Sequence, residues 1–100
     1  MFITITSASY LDDYQIEFQF SDGKLGIVNL LPFLQGSVFE PLKDREIFQK
    51  FQIDSDLETI VWENGADLAP EFLYFQAFKN DESLKNQFIE WGYLPKVESA

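Results

Sequence analysis

The sequence YQIEFQFSDGKLGIVN, residues 14–29, decides the fold class. Apolar and polar side chains alternate along its first half, which is typical of a strand with one buried face. Asp22 and Gly23 then form an Asp-Gly pair, which predicts a β-hairpin with a type I′ turn, in which both central residues have positive φ. The stretch therefore predicts two antiparallel strands, near residues 14–21 and 24–29.

Three further strands are predicted on either side of this hairpin. Residues 3–6 alternate apolar and polar side chains, which predicts a strand near 2–8 that completes a meander. Two more strands, near 50–54 and 58–62, are expected to form a second hairpin around an acidic tip. The sequence thus predicts about five strands in two antiparallel units.

Helical signals lie between and after these strands. A short helical turn is expected at 31–36, and Asp44 is placed to cap a second short helix that carries Phe48. Pro70 suits the first turn of a longer helix. Residues 81–91 have apolar side chains spaced i, i+4 and i+7 and are followed by a glycine, which predicts a C-terminal helix.

Strands grouped early and helices grouped late predict an α+β fold, with the helices on one face of a small antiparallel sheet. We expect a single domain over 1–95 with a flexible tail at 96–100. Aromatic residues make up 17% of the chain, and most of them are expected to form the core. Some late rings are expected to stay exposed as an oligomer or partner interface. The candidates are Phe72, Phe75, Phe78 and Trp91.

The charge balance limits the classes of partner. Asp and Glu number 17 against 7 Lys and Arg, so the formal net charge is −10. Nucleic-acid binding requires cationic side chains that displace condensed counterions, so direct binding of DNA or RNA is not expected. Anionic membranes are disfavoured for the same reason, and no apolar stretch is long enough to span a bilayer. A basic protein partner or a cation is compatible with this charge. Without a secretory signal pattern, the expected compartment is the cytoplasm.

Missing residue types exclude several kinds of catalytic site. The chain has no Cys and no His, which removes thiol and imidazole catalysis, disulfides and the common zinc sites. Carboxylates, Lys and Tyr remain for acid–base chemistry. The carboxylates in the most distinctive motifs are Asp22, Asp44 and Asp67. Turn formation and helix capping explain all three, so no enzyme activity and no cofactor are expected.

An acidic stretch in the second half is the predicted partner-binding surface. No Lys or Arg occurs from Phe51 to Phe78, and the six carboxylates there are Asp54, Asp56, Glu58, Glu63, Asp67 and Glu71. The first three alternate like the start of a calcium loop. Such a loop would need Gly at its sixth position and Glu at its twelfth, where this chain has Thr59 and Gly65. We therefore expect a protein-binding surface or a solvated face, and no metal site.

The most distinctive motif is TIVWENGADLAPEFLY, residues 59–74. It reads as a strand, a corner and the start of a helix. Trp62 is expected to pack beneath the corner, and Gly65, next to Asn64, permits positive φ there. Asp67 precedes Pro70 and is expected to accept hydrogen bonds from the N-terminal N–H groups of the helix.

This pattern resembles the bacterial family called domain of unknown function 2442. Members show a strand that ends in Trp, an Asn-Gly corner, an Asp-Leu pair and a Pro-x-x-Leu-Tyr helix. The resemblance covers residues 2–75, and upstream features such as the Ser-Asp-Gly hairpin agree with it. The motif residues in this chain are Asp22, Gly23, Asp44, Trp62, Asn64, Gly65, Asp67, Pro70 and Tyr74. The chain departs from the pattern at Asn29, where Asp is usual, and at Glu63, where Pro is common.

The resemblance implies a small α+β fold without a settled activity. Members occur alone or ahead of a helix-turn-helix domain, and some are encoded beside small basic proteins in apparent toxin–antitoxin pairs. The residues after the motif supply one good helix, so a helix-turn-helix is not expected in this chain. A direct regulator of transcription is therefore less expected than a partner-binding protein.

Three functional hypotheses follow. The first is a non-enzymatic protein-interaction module that binds a basic protein, in the manner of an antitoxin, or a second copy of the chain. The second is a domain that binds a small ligand or a cation. The third is a regulatory module that acts with a separate DNA-binding protein.

Overall fold

Five strands form two antiparallel sheets in residues 1–96, the part of the chain that a computed structural model describes. The strands are β1 Ile5–Tyr10, β2 Gln15–Phe20, β3 Leu25–Asn29, β4 Gln52–Asp54 and β5 Thr59–Val61. The first sheet has the order β1-β2-β3, and the second pairs β4 with β5. The α-helices are α1 Arg45–Phe48, α2 Pro70–Phe78 and α3 Lys85–Glu90. The α+β class predicted from the sequence is confirmed.

The hairpin of β2 and β3 is present, but its turn differs from the predicted type. Gly23 has φ +87°, whereas Asp22 is not among the residues with positive φ in the described part of the chain. The Gly23 N–H donates to the Phe20 carbonyl, and the Phe20 N–H donates to the Lys24 carbonyl, both at 2.9 Å. These bonds define a three-residue loop in which one left-handed glycine forms the bulge. The prediction of a type I′ turn was wrong because an Asp-Gly pair is also compatible with a three-residue loop, in which only the glycine needs positive φ.

Several element boundaries also differ from the predictions. β1 starts later than predicted and continues to Tyr10, with an irregular register between Ile5 and Ser7. The predicted turn at 31–36 is a 3-10 turn that spans Leu31–Phe33. Within residues 1–96, no helix is long and apolar enough to cross a bilayer. Apart from Lys96, the tail predicted at 96–100 lies outside the described residues.

The predicted helix at 81–91 divides into a 3-10 turn, Glu82–Leu84, and α3. Asp81 caps the 3-10 turn, since its Oδ1 accepts the Ser83 hydroxyl at 2.6 Å and the Ser83 N–H at 2.9 Å. These bonds, the hydroxyl bond first, hold the pKa of Asp81 below its ordinary value. The local cap tightens the first turn, so the periodic pattern alone overestimated the α-helix.

The inner face of the first sheet supplies the centre of the core. Ile16, Phe18 and Phe20 on β2 are almost completely buried. Helix α2 packs across β3, and Phe20 contacts the Tyr74 ring edge-on with 5.0 Å between centroids. The late aromatic residues do not form the exposed patch that the sequence predicted. Phe72, Phe75, Phe78 and Trp91 are half-buried and pack against the core and against other rings.

Candidate functional site

The tip of the β4–β5 hairpin carries the first part of the predicted acidic surface. Asp54 ends β4, and its Oδ1 accepts the N–H groups of Asp56 at 2.8 Å and Leu57 at 3.0 Å. Its carbonyl accepts the Glu58 N–H at 2.7 Å. Asp54 therefore shapes the tip, while Asp56 and Glu58 project their carboxylates into solvent.

Glu58 has a backbone conformation that is unusual for its residue type. Its φ is +58°, in the left-handed region that favours glycine. The Glu58 carbonyl accepts the Ile5 N–H at 2.9 Å, which attaches the tip to the start of β1. A strained position with an exposed carboxylate thus sits at a fixed place on the surface.

Two aliphatic side chains lie among these carboxylates. Ile53 is 40% exposed and Leu57 is 52% exposed. With Asp56 and Glu58 they form a mixed surface that we call the hairpin patch. Its apolar atoms supply area to bury, and its carboxylates supply charge for a basic partner.

The remaining predicted carboxylates lie away from the tip. Glu63 and Asp67 are exposed beyond the other end of β5. Glu71, in the first turn of α2, is half-buried. Burial of the Tyr93 phenol, and then the negative charge of Glu71, raise the pKa of Tyr93 above its ordinary value. The structure therefore places three of the six predicted residues at the hairpin tip, two beyond the other end of β5 and Glu71 on α2, instead of gathering them on one surface.

Asp67 does not cap α2. The residue that precedes the helix is Ala69, whose side chain cannot accept a hydrogen bond, and Pro70 follows it. Asp67 instead forms an isolated antiparallel bridge with Val61, and the Leu68 carbonyl accepts the Thr59 hydroxyl at 2.6 Å. The capping prediction was wrong because residues before the helix run in an extended conformation along β5.

The corner after β5 is held by side-chain hydrogen bonds. Gly65 has φ +89°, and its N–H donates to the Trp62 carbonyl at 3.0 Å. The Trp62 indole is buried and donates to the Phe48 carbonyl at 2.9 Å. Asn64 accepts the Ala66 N–H at 3.1 Å and donates to the Val38 carbonyl at 2.8 Å. The corner therefore connects β5 to both α1 and the preceding loop.

A second connection joins the β2–β3 hairpin to α2. The buried Tyr74 hydroxyl donates to Asp22 Oδ2 at 2.7 Å. Asp22 Oδ1 also accepts the Lys24 N–H at 3.0 Å, and the Lys24 Nζ lies 6.0 Å from the Tyr74 ring centroid. Burial, and then the bond to Asp22, raise the pKa of the Tyr74 phenol well above its ordinary value. No local pattern predicts this contact, because its partners are 52 residues apart in the chain.

Tyr74→Phe is expected to lower the free energy of unfolding by about 1 kcal/mol at neutral pH, because it removes this hydrogen bond. An unfolded tyrosine ionises at about pH 10, whereas the folded state keeps Tyr74 protonated to higher pH. The unfolded chain then binds fewer protons, so stability falls as pH rises past that value. Tyr74→Phe should make this fall shallower, as measured by urea unfolding across the alkaline range. An unchanged neutral-pH stability would contradict the assignment.

The three carboxylates considered for catalysis have separate structural partners. Asp22 binds Tyr74, and Asp67 lies beside Val61. Asp44 caps α1, with its Oδ1 accepting the Glu46 N–H at 3.0 Å. Within residues 1–96, no group of three or more acidic side chains is arranged to hold a metal ion. The absence of enzyme activity remains a prediction.

A cleft that the sequence did not predict opens at the end of the β4–β5 hairpin opposite the tip. Its volume is about 460 Å³, and it is lined by Lys50, Phe51, Gln52, Val61, Trp62 and Glu63. The last pair of the two strands is Gln52 with Val61, so the cleft begins where their pairing ends. No pattern in the sequence marks this position, because the opening depends on how the chain leaves β5.

The fold is similar to that of a solved structure, NE0471 from Nitrosomonas europaea ATCC 19718, whose name describes it as a "Putative DNA Binding Protein". The TM-score is 0.72 at 17% sequence identity, so the similarity concerns the fold alone. It covers 93% of this chain and 63% of that one, so this chain spans less than two thirds of the solved protein. No curated protein matches the sequence.

A family model identifies the chain more directly. The model described as "Protein of unknown function (DUF2442)" matches residues 5–79. The match includes all five strands together with α1 and α2, and it ends before α3. It confirms the family resemblance predicted from the Trp-x-Asn-Gly motif over nearly the same range. The chain therefore belongs to the family of proteins of unknown function DUF2442.

Proposed function

We propose that this protein is a non-enzymatic interaction module that binds a basic protein through the hairpin patch. The observation that carries the proposal is Glu58, an exposed carboxylate at φ +58°. Glycine would occupy this position with less strain, so Glu at this place reduces folding stability. When a residue reduces stability and its surface position is fixed by the fold, a role of that residue in binding is favoured.

The composition of the hairpin patch supports a protein partner. Leu57 is already about half covered, so burying the rest of its side chain in an interface contributes about 1 kcal/mol. The carboxylates of Asp56 and Glu58 add electrostatic steering and orientation for cationic side chains. Neither forms an ion pair in the described residues, where the pairs are Lys43 with Glu40 and Arg45 with Asp13. Both charges are therefore available to a partner.

The net charge favours a basic partner over other classes. A molecule with formal charge −10 attracts cationic proteins at long range and repels nucleic acids. A small basic protein, neutralised as an antitoxin neutralises a toxin, matches both the charge and the patch. Binding of this kind should weaken as salt screens the carboxylates.

The experiment compares two variants that each remove two carboxylates. Asp56→Asn/Glu58→Gln changes the hairpin patch, and Glu82→Gln/Glu90→Gln changes exposed residues elsewhere. Tagged forms are used in quantitative pull-downs from the source cells. We expect the patch variant to recover at least about tenfold less of a basic partner than the wild type, and the control variant to recover it normally. Circular dichroism checks that both variants fold.

Equal recovery of every protein by the two variants would contradict the assignment of the patch. Recovery of no basic protein by the wild type would contradict the proposed partner class. Co-expression with the basic product of a neighbouring gene provides an independent arm. An antitoxin-like role predicts relief of growth inhibition by the wild type and weaker relief by the patch variant.

The name of NE0471 favours a second candidate, a regulatory module that acts with a separate DNA-binding protein. In this chain, Lys43 and Arg45 are paired with carboxylates, and Lys24 lies near aromatic rings. Seven cationic residues in a chain of charge −10 give little counterion release on DNA. We propose that any link to DNA operates through a protein partner. An excess of DNA-binding proteins among those lost by the patch variant would favour this candidate.

A further inference from the structure

We propose that the cleft at the end of the β4–β5 hairpin binds a small zwitterion with an apolar body, such as a free hydrophobic amino acid. The cleft lies at the opposite end of the hairpin from the patch, so this proposal does not rest on the proposed function. The proposal is supported by the point at which the strand pairing ends, by the aromatic floor and by two opposite charges at the mouth.

The cleft exists because β5 turns away from β4. The two strands pair as far as Gln52 and Val61. The next residue, Trp62, donates its backbone N–H to the Ala66 carbonyl at 2.9 Å and its indole N–H to the Phe48 carbonyl at 2.9 Å. These bonds hold Trp62 in the corner, so the pairing of β4 with β5 ends at this point.

The Phe51 ring forms the floor of the opening and packs against the buried Trp62 indole. Phe51 precedes β4 and Trp62 follows β5, so the two residues flank the last strand pair. Their rings meet edge-on, with centroids 6.3 Å apart and an interplanar angle of 73°. Phe51 is half-buried, so part of its ring faces the cleft. An apolar ligand body that covers this floor would remove aromatic and aliphatic surface from water.

Opposite charges lie at the mouth. Lys50 precedes Phe51 and Glu63 follows Trp62, on the two chain segments that separate at the end of the strand pairing. Both residues are exposed and line the cleft, and neither belongs to an ion pair in residues 1–96. Here the opening separates them, which leaves one cationic and one anionic group free to meet a ligand.

The two charges select the ligand class. A carboxylate on the ligand would pair with the Lys50 ammonium, and an ammonium on the ligand would pair with the Glu63 carboxylate. A ligand with two charges of one sign would be repelled by one of the two residues. The volume of about 460 Å³ lies within the range typical of small-molecule sites. A zwitterion with an apolar side chain would pair with both charges at the mouth and would cover the aromatic floor.

The test is an NMR titration of the ¹⁵N-labelled protein with three related probes. Phenylalanine carries both charges, phenylpropionate only the carboxylate, and phenethylamine only the ammonium. We expect phenylalanine to shift the amides of residues 50–52 and 61–63, with an affinity about tenfold higher than that of either singly charged probe. Leucine, as a smaller zwitterion, should shift the same amides.

Variants assign the charges. Lys50→Gln and Glu63→Gln should each weaken phenylalanine binding about tenfold, whereas the control variants Lys85→Gln and Glu90→Gln should leave it unchanged. The same spectra verify that each variant is folded. The proposal is overturned if neither phenylalanine nor leucine shifts these amides at about 10 mM, or if the three phenyl probes bind equally. An unchanged affinity in both cleft variants would also overturn it.

Discussion

Trp62→Ala lowers the free energy of unfolding by about 3–5 kcal/mol, which is a large share of the total expected for a domain of this size. The indole is 3% exposed and packs against the rings of Phe48 and Phe51. Alanine would leave a cavity among these rings and would leave the buried Phe48 carbonyl without its donor. Urea unfolding followed by far-UV circular dichroism measures the change.

Trp91→Ala is the matched control for this prediction. Trp91 is half-buried, and its side chain donates no hydrogen bond in the described part of the chain. Its removal is expected to lower the free energy of unfolding by less than Trp62→Ala does. A Trp62→Ala protein with an unchanged midpoint of unfolding would show that the corner does not depend on the indole, and would contradict the packing described above.

Gly26→Ala lowers the free energy of unfolding by about 1–3 kcal/mol, because it inserts a methyl group between β3 and α2. A Cβ atom at this position would lie 2.6 Å from the Ala77 Cβ and 3.1 Å from the Phe78 ring. The Ala77 methyl cannot rotate away, since it is attached directly to the helix backbone. Alanine at position 26 would restrict the unfolded chain slightly, but this gain of about 0.5–1 kcal/mol is smaller than the overlap.

A double-mutant cycle tests the contact itself. Ala77→Gly alone costs about 1 kcal/mol through helix propensity. The Gly26→Ala/Ala77→Gly protein lacks the methyl group that overlaps with the new Cβ. Its loss of stability should therefore be smaller than the sum of the losses in the two single variants, by a coupling energy of about 1–2 kcal/mol. Urea unfolding of the four proteins gives the coupling. Strictly additive losses would mean that the helix does not rest on β3 at this point.

The fold class was predictable because its signals are local. Alternation from residue 14 to residue 20 identifies β2, and the following Asp-Gly pair identifies the hairpin. Pro70 marks the first turn of α2, as expected from its missing N–H. The errors were also local in origin. Asp81 tightens the first turn of the last helical segment, and the extended backbone at Asp67 keeps that carboxylate from the helix.

The contacts between elements were not predictable from these signals. The bond from Tyr74 to Asp22 and the bond from Asn64 to Val38 join residues 52 and 26 positions apart. Periodicity assigns such residues to a helix or a corner and gives no information on their distant partner. The sequence identified the six carboxylates as a group, but only the structure shows that they are divided between the hairpin tip, the corner after β5 and α2.

The cleft could not be predicted for the same reason. Lys50 and Glu63 line one cleft because they flank the paired ends of β4 and β5, and the opening between them depends on the hydrogen bonds of Trp62. The left-handed conformation of Glu58 is likewise set by the geometry of the tip and its contact with β1. Positive φ is predicted from sequence mainly at glycine, so nothing in the sequence predicts this conformation for a glutamate.

The most direct test of the hairpin patch measures both the stability and the partner affinity of Glu58→Gly. Glycine relieves the left-handed strain, so the free energy of unfolding should rise by about 0.5–1 kcal/mol. Removal of the carboxylate should at the same time weaken binding of the basic partner, measured by calorimetry at low salt, by about tenfold. Because the variant is more stable, lost affinity could not be attributed to misfolding. A Glu58→Gly protein that gains stability and binds the partner as tightly as the wild type would contradict the account.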